Sequence, residues 1–311
     1  MIRGNFATKF DNYAMDNFYQ REIFRKLKTS VELDIFKKQD VNKIYKYSDF
    51  LVEQIYPLDE KSITNLTNKI NYIKDNYLNE TNKIYYSIIP DKNYYTDNSH
   101  LKLNYDKMKQ IMKNNLKDLQ YIDIFQDLNL DSYYYTDSHW KQEKLQSVAK
   151  TIADNMNFSI TQNYNEQKVA TFKGVYAGQL PINTKEDEIK ILVNDVMANV
   201  NVYNYETKEQ GGIYNFKKLN GYDKYDIYLS GATPLIEINN QNNKTNKTLV
   251  IFRDSYASSL APLLTEGYSK ITLVDTRYIS PKILNEYVDF ENADILFLYS
   301  TLVINSSMAL K

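Results

Sequence analysis

The chain has no cysteine, two histidines and one tryptophan, and its 311 residues include only 8 glycines and 6 prolines. With no thiolates and only His100 and His139, a Cys/His zinc cage cannot be assembled, and disulfides are excluded. Glycine this sparse leaves neither G-x-G-x-x-G nor G-x-x-x-x-G-K-[ST], so a phosphate-cradling nucleotide site is not expected. An excess of one charge is also missing. Lys+Arg total 38 against 39 Asp+Glu, a formal net charge of −1, so no basic field exists to draw in nucleic acid or an anionic membrane. No apolar run reaches the roughly 18 residues of a membrane span, and MIRGNFATKF is not a signal peptide. These absences predict no metal, no cofactor and no nucleic-acid partner. If the protein is exported, its targeting segment is expected outside this sequence.

What is present is a globular composition, 43% apolar and 25% charged, in a chain long enough to bury a large core. Phe10, Tyr13, Ala14, Phe18, Ile23, Phe24 and Leu27 recur at helical spacing and predict one or two opening amphipathic helices. IYKYSDFLV (44–52) reads as a hairpin with its tip at Ser48 and Asp49. Ile63, Leu66, Ile70, Ile73 and Tyr77 predict a helix over 59–78, followed by the compact apolar run KIYYSIIP, a buried parallel strand. A second helix over 103–117, a strand at QYIDIF (120–125) and a helix carrying Leu145, Val148, Ala149, Ile152, Ala153 and Met156 continue the alternation. From 158 to 245 the character changes to alternating strands and turn residues, which predicts a β-rich insertion on the main sheet.

The end of the chain is the most regular part: KTLVIF, KITLVD and ADILFLYS are three buried strands separated by helical or crossover segments. Strand and helix alternating in this way predict an α/β doubly wound parallel sheet with flanking helices, built from 1–157 and 246–311, with 158–245 inserted. Function in such sheets gathers at the carboxyl ends of the strands, where Asp254 and Ser255 stand.

Ser255 lies between a buried strand and the start of a helix. It is either a helix cap or a nucleophile whose oxyanion would be met by amides from Ser255 and Tyr256 onward. A serine nucleophile needs a base, and His139 has Asp137 two residues before it, on the same side of an extended backbone. That is the division of labour of a Ser-His-Asp triad. His100, in the polar loop YYTDNSH, reads as surface. Trp140 either bounds an acyl or sugar pocket or anchors the following helix. Asp254 is suited to holding the turn, while Arg253 and Arg277 either steer an anionic group or pair with Asp254 or Asp275.

YYYTDSHW, DKYDIYLSG, RDSYASSLAPLL and VDTRY, in this order along the chain, resemble the DHHW protein family, whose hallmark is TDHHW. FDNYAMDNF resembles that family's opening F-x-x-Y-x-x-D-x-F, and YSIIPDKN its first strand. The family is similar to the SGNH-hydrolase-like acetyltransferase domain of the alginate O-acetyltransferases. Carried over, the resemblance implies Asp137, His139 and Ser255 as the triad. Ser138 stands where the family has its first histidine, and Arg253 where an ordinary G-D-S block has glycine. A G-x-N-D block is missing, which leaves Asn305 as a weak oxyanion candidate or a structural residue. The resemblance implies an extracytoplasmic O-acetyltransferase of a cell-surface or secreted polysaccharide, served by a membrane-bound acyltransferase that supplies acetyl groups. The alternatives are a carbohydrate acetylesterase with the same triad and a non-catalytic surface or polysaccharide-binding protein.

Overall fold

The computed structural model describes residues 21–161 and 163–311. The first described helix, Arg21–Ser30 (α1), leaves Ile23 and Leu27 more than half exposed; the expected apolar positions Phe10, Tyr13, Ala14 and Phe18 lie outside the described residues. The hairpin of Ile44–Tyr47 (β1) and Phe50–Glu53 (β2) turns through Ser48. Glu60–Tyr77 (α2) begins where Asp59 accepts the amides of Lys61 and Ser62, the satisfaction a helix start requires. Ile84–Ile89 (β3), Tyr105–Asn115 (α3), Gln120–Tyr121 (β4) and Gln146–Asn155 (α4) follow. β4 is shorter than QYIDIF suggests, because Asp123 accepts the amide of Phe125 and bends the chain into a 3-10 turn.

The 158–245 stretch splits in two. Asn165–Phe172 (β5) and Asp187–Val193 (β6), joined through the short helix Val175–Gln179 (α5), form their own antiparallel pair. Val200–Asn204 (β7), Glu209–Gly211 (β8) and Leu235–Asn240 (β9) instead extend the main sheet antiparallel at its edge. The turn-rich segments EQGGIY and LNGYDKY of this stretch contain only the short β8; two 3-10 helices, capped by Asn215 and Asp223, occupy Phe216–Asn220 and Lys224–Ile227.

Thr248–Arg253 (β10), Ala257–Leu260 (α6), Lys270–Val274 (β11), Asp294–Ser300 (β12) and Thr301–Ile304 (α7) complete the chain. The eight-stranded sheet runs β4-β3-β12-β10-β11-β9-β7-β8, parallel from β4 through β11. Its central strands are uninterrupted apolar runs because both faces are covered. On β10, Leu249 and Ile251 enter one core with Val148, Ala149 and Ile152 of α4; Val250 and Phe252 enter the other with Ile63, Leu66 and Ile70 of α2 and Met108 of α3. This alternation sets β10 at the centre and places the residues just after Arg253 at the carboxyl edge of the parallel strands.

Candidate active site

Asp254 holds the turn that follows β10. Its Oδ1 accepts the Tyr256 amide at 3.0 Å and its Oδ2 the Ser300 amide at 2.7 Å, joining the ends of two neighbouring strands. Ser255, between them, is partly exposed. Its amide donates to no group among the described residues, whereas that of Tyr256 is taken by Asp254. Of the amides from Ser255 and Tyr256 onward considered from the sequence, that of Tyr256 is therefore committed to Asp254, while that of Ser255 is available.

The second segment, 132–141, folds back on itself through a bridge between Tyr133 and Trp140 and a bond from the Tyr134 amide to the His139 carbonyl at 3.1 Å. Trp140 then ties this segment to the first. It is fully buried, and its indole N–H donates to the Tyr256 carbonyl at 2.9 Å and the Ser259 hydroxyl at 3.0 Å. The Tyr256 phenol returns a bond to the Ser138 carbonyl at 2.7 Å. These contacts bring together residues 116 positions apart: His139 Nε2 lies 2.8 Å from Ser255 Oγ.

On the other side of the ring, Nδ1 is 2.6 Å from Asp137 Oδ1, which also accepts the His139 amide at 3.0 Å; Oδ2 accepts the Val175 amide at 3.1 Å. Burial alone would raise the Asp137 carboxyl, but the charge of His139 and these hydrogen bonds outweigh it and hold the group down to about 2. An ionised Asp137 can only accept, so Nδ1 carries the proton and Nε2 is left to accept from the Ser255 hydroxyl. The ring is stacked flat on Tyr225, with centroids 3.8 Å apart, which leaves it little freedom to swing. An imidazole so held is arranged to take the hydroxyl proton as Oγ bonds to an electrophilic carbon.

Gly174 makes the approach of Val175 to Asp137 geometrically feasible. A Cβ at 174 would fall 2.3 Å from Asp137 Cβ. Gly174→Ala is thus expected to lower stability by about 1–3 kcal/mol; an unchanged thermal unfolding curve would show that the backbone relaxes freely there.

Other candidates lie elsewhere. Trp140, with no exposed face, cannot stack on a sugar, because its indole N–H is committed to α6. Arg253 is also fully buried; its guanidinium donates to the Asp254 carbonyl and Ser258 hydroxyl and to Thr233, with Asp275 4.0 Å away, so it steers no substrate. Arg277 pairs with Asp275 at 2.6 Å. Asn305 is structural, accepting the Asp59 amide at 2.7 Å and donating to the Pro57 carbonyl at 3.0 Å. His100 is half-buried rather than surface, stacked on Tyr45 with centroids 3.6 Å apart. The sequence assigned no role to Thr136, Gly174, Asp187 or Asp223, although Thr136 lies within YYYTDSHW and Asp223 opens DKYDIYLSG. Among the described residues no group of three or more His, Asp or Glu side chains is placed to hold a metal.

A cleft of about 430 Å³ opens beside Asp137, lined among others by Phe172, Lys173, Val175, Tyr222 and Asp223. Tyr222 is fully exposed there. Asp223 is pushed above the usual carboxylate range by burial and by the charge of Asp137.

No family model matches the chain, and no curated protein matches it. Solved structures do. The chain superposes on a DHHW family protein from Eubacterium siraeum with a TM-score of 0.69 at 17% identity, covering 86% of this chain and 92% of that one. The DHHW protein and this chain share one fold. Bacillus cereus PatB1, solved with a sulfonyl adduct, matches with a TM-score of 0.66 at 17% identity over 84% of this chain and 95% of its own. The O-acetyltransferase domain of Pseudomonas putida AlgJ matches at 0.52 and 10% identity over 86% and 93%. The doubly wound, SGNH-hydrolase-like α/β class expected from the sequence is thus the fold observed, with the DHHW protein as one of its structural relatives.

Proposed function

We propose that the protein is an O-acetyltransferase acting on a cell-surface or secreted polysaccharide. The observation that carries this reading is the line from Asp137 through His139 to Ser255, with contacts of 2.6 and 2.8 Å. Ser255 Oγ attacks the acetyl carbonyl of a donor as its proton passes to His139 Nε2. Asp137 stabilises the imidazolium, and the Ser255 amide faces the developing oxyanion. The donor's leaving group takes the proton from His139, and an acetyl ester remains on Ser255. A sugar hydroxyl then gives its proton to Nε2 and attacks that ester, and Ser255 departs as the proton returns to it.

Transfer to sugar, rather than to water, is supported by the fold shared with the AlgJ O-acetyltransferase domain. The cleft beside Asp137 offers an exposed tyrosine face and a carboxylate, groups suited to a pyranose ring and its hydroxyls. An extracytoplasmic location and a membrane-bound acyltransferase as the source of acetyl groups complete the proposal. Among the described residues no helix is long and apolar enough to cross a membrane.

The test is a chromogenic acetyl ester offered with a panel of oligosaccharides such as chitohexaose and xylohexaose. Acetylated sugar detected by mass spectrometry, increasing with acceptor at the expense of free acetate, is the expected result. Release of acetate alone at every acceptor concentration would make the protein an esterase. Absence of both turnover and serine labelling would leave a binding protein.

A further inference from the structure

Three consecutive residues ahead of Asp137 are gripped by buried charged side chains. Lys92 Nζ donates to the Tyr134 carbonyl at 3.0 Å. The Asp187 carboxylate, at the start of β6, accepts the Tyr135 amide on one oxygen; on the other it accepts the Thr136 amide at 2.7 Å and the Thr136 hydroxyl at 2.6 Å. Lys92, Thr136 and Asp187 are all nearly inaccessible to water. A carboxylate in such a place accepting three short bonds orders the groups around it strongly.

The Thr136 hydroxyl, having donated to Asp187, accepts the Gly174 amide at 2.7 Å, and the Thr136 carbonyl accepts the Tyr176 amide at 3.0 Å. The residue between those two, Val175, sends its amide to Asp137 Oδ2. Asp187 therefore reaches Asp137 twice: along the chain through Thr136, and across space through residues 174–176, which hold the carboxylate oxygen turned away from His139.

We infer that Asp187 and Thr136 are positioning residues: together they set the rotation of the Asp137 carboxylate toward His139 Nδ1, so the β5–β6 pair controls the alignment of the relay. This inference rests on the proposed roles of Asp137, His139 and Ser255. Its geometric part can be read without any turnover. An imidazole N–H bonded to a buried carboxylate gives a proton resonance far downfield, and the signal is assignable here because His100 Nδ1 has no hydrogen-bond partner among the described residues.

The experiment compares Asp187→Asn, Thr136→Val and Thr136→Ser by this resonance and by ester turnover per folded molecule. Thr136→Val leaves the charge unchanged, which separates positioning from a through-space effect of Asp187. Both Asp187→Asn and Thr136→Val are expected to lose or move the resonance and to reduce kcat on the order of 10²-fold, the cost of misplacing a group by about 1 Å. Thr136→Ser, which keeps the hydroxyl, is expected to retain both. Folded Thr136→Val with the wild-type resonance, or with lower thermal stability but wild-type kcat, would overturn the inference, as would absence of the resonance from the wild type. An enzyme that shows the resonance but turns over no ester would refute the proposed function alone.

Discussion

Ser255→Ala is expected to reduce acetyl-ester turnover by on the order of 10⁵- to 10⁶-fold, as loss of a serine nucleophile does in other hydrolytic triads. The fold should hardly notice. Among the described residues the Ser255 hydroxyl hydrogen-bonds only with His139 Nε2, and the residue is partly exposed, so water can take over the vacated bond. The turn is held by Asp254 and by Trp140, not by the serine side chain. Loss of activity with an unchanged unfolding curve is therefore the expected pattern, together with loss of labelling by a sulfonyl fluoride. A variant that still hydrolyses the ester at a tenth of the wild-type rate would remove Ser255 as the nucleophile.

The parts of this site that were legible in the sequence are those whose chemistry is local. Asp137 and His139 are two residues apart, and Ser255 follows closely on a strand whose apolar run is unbroken because both faces are covered. Period and position sufficed for these. Legibility fails where a side chain answers to distant backbone. Asp187 binds the amides of Tyr135 and Thr136, 52 and 51 positions away, and nothing in KEDEIK distinguishes it from its exposed neighbours. For Arg253 the sequence left steering an anion or pairing with Asp254 or Asp275 open; what it could not show is that the shelter of Asp275, Ser258 and Thr233 allows the guanidinium to be fully buried. For Trp140 the sequence left two uses open. The buried acceptors on α6 decide between them, since an indole N–H inside a core needs a partner.

Asp137→Asn is the other large effect, and its cause is a count of donors. The wild-type carboxylate accepts three N–H groups: the His139 amide and Nδ1–H on Oδ1, and the Val175 amide on Oδ2. A carboxamide has one acceptor oxygen and one donating NH₂. With the oxygen toward His139, the NH₂ confronts the Val175 amide; with the oxygen toward Val175, the NH₂ confronts His139 and forces the proton onto Nε2, which then cannot accept from Ser255. Turnover is therefore expected to fall about 10⁴-fold. Stability is also expected to fall, by on the order of 2–3 kcal/mol at neutral pH, because a carboxyl held at about 2 in the folded state and near 4 in the unfolded chain favours folding while ionised. The sign follows from the depressed value: the contribution is fully present above about pH 4 and is lost as pH falls through about 2. Wild type and Asp137→Asn should then differ most in unfolding free energy at neutral pH and converge in acid. A constant gap down to pH 2, or wild-type turnover in the variant, would separate Asp137 from both the stability and the chemistry assigned to it.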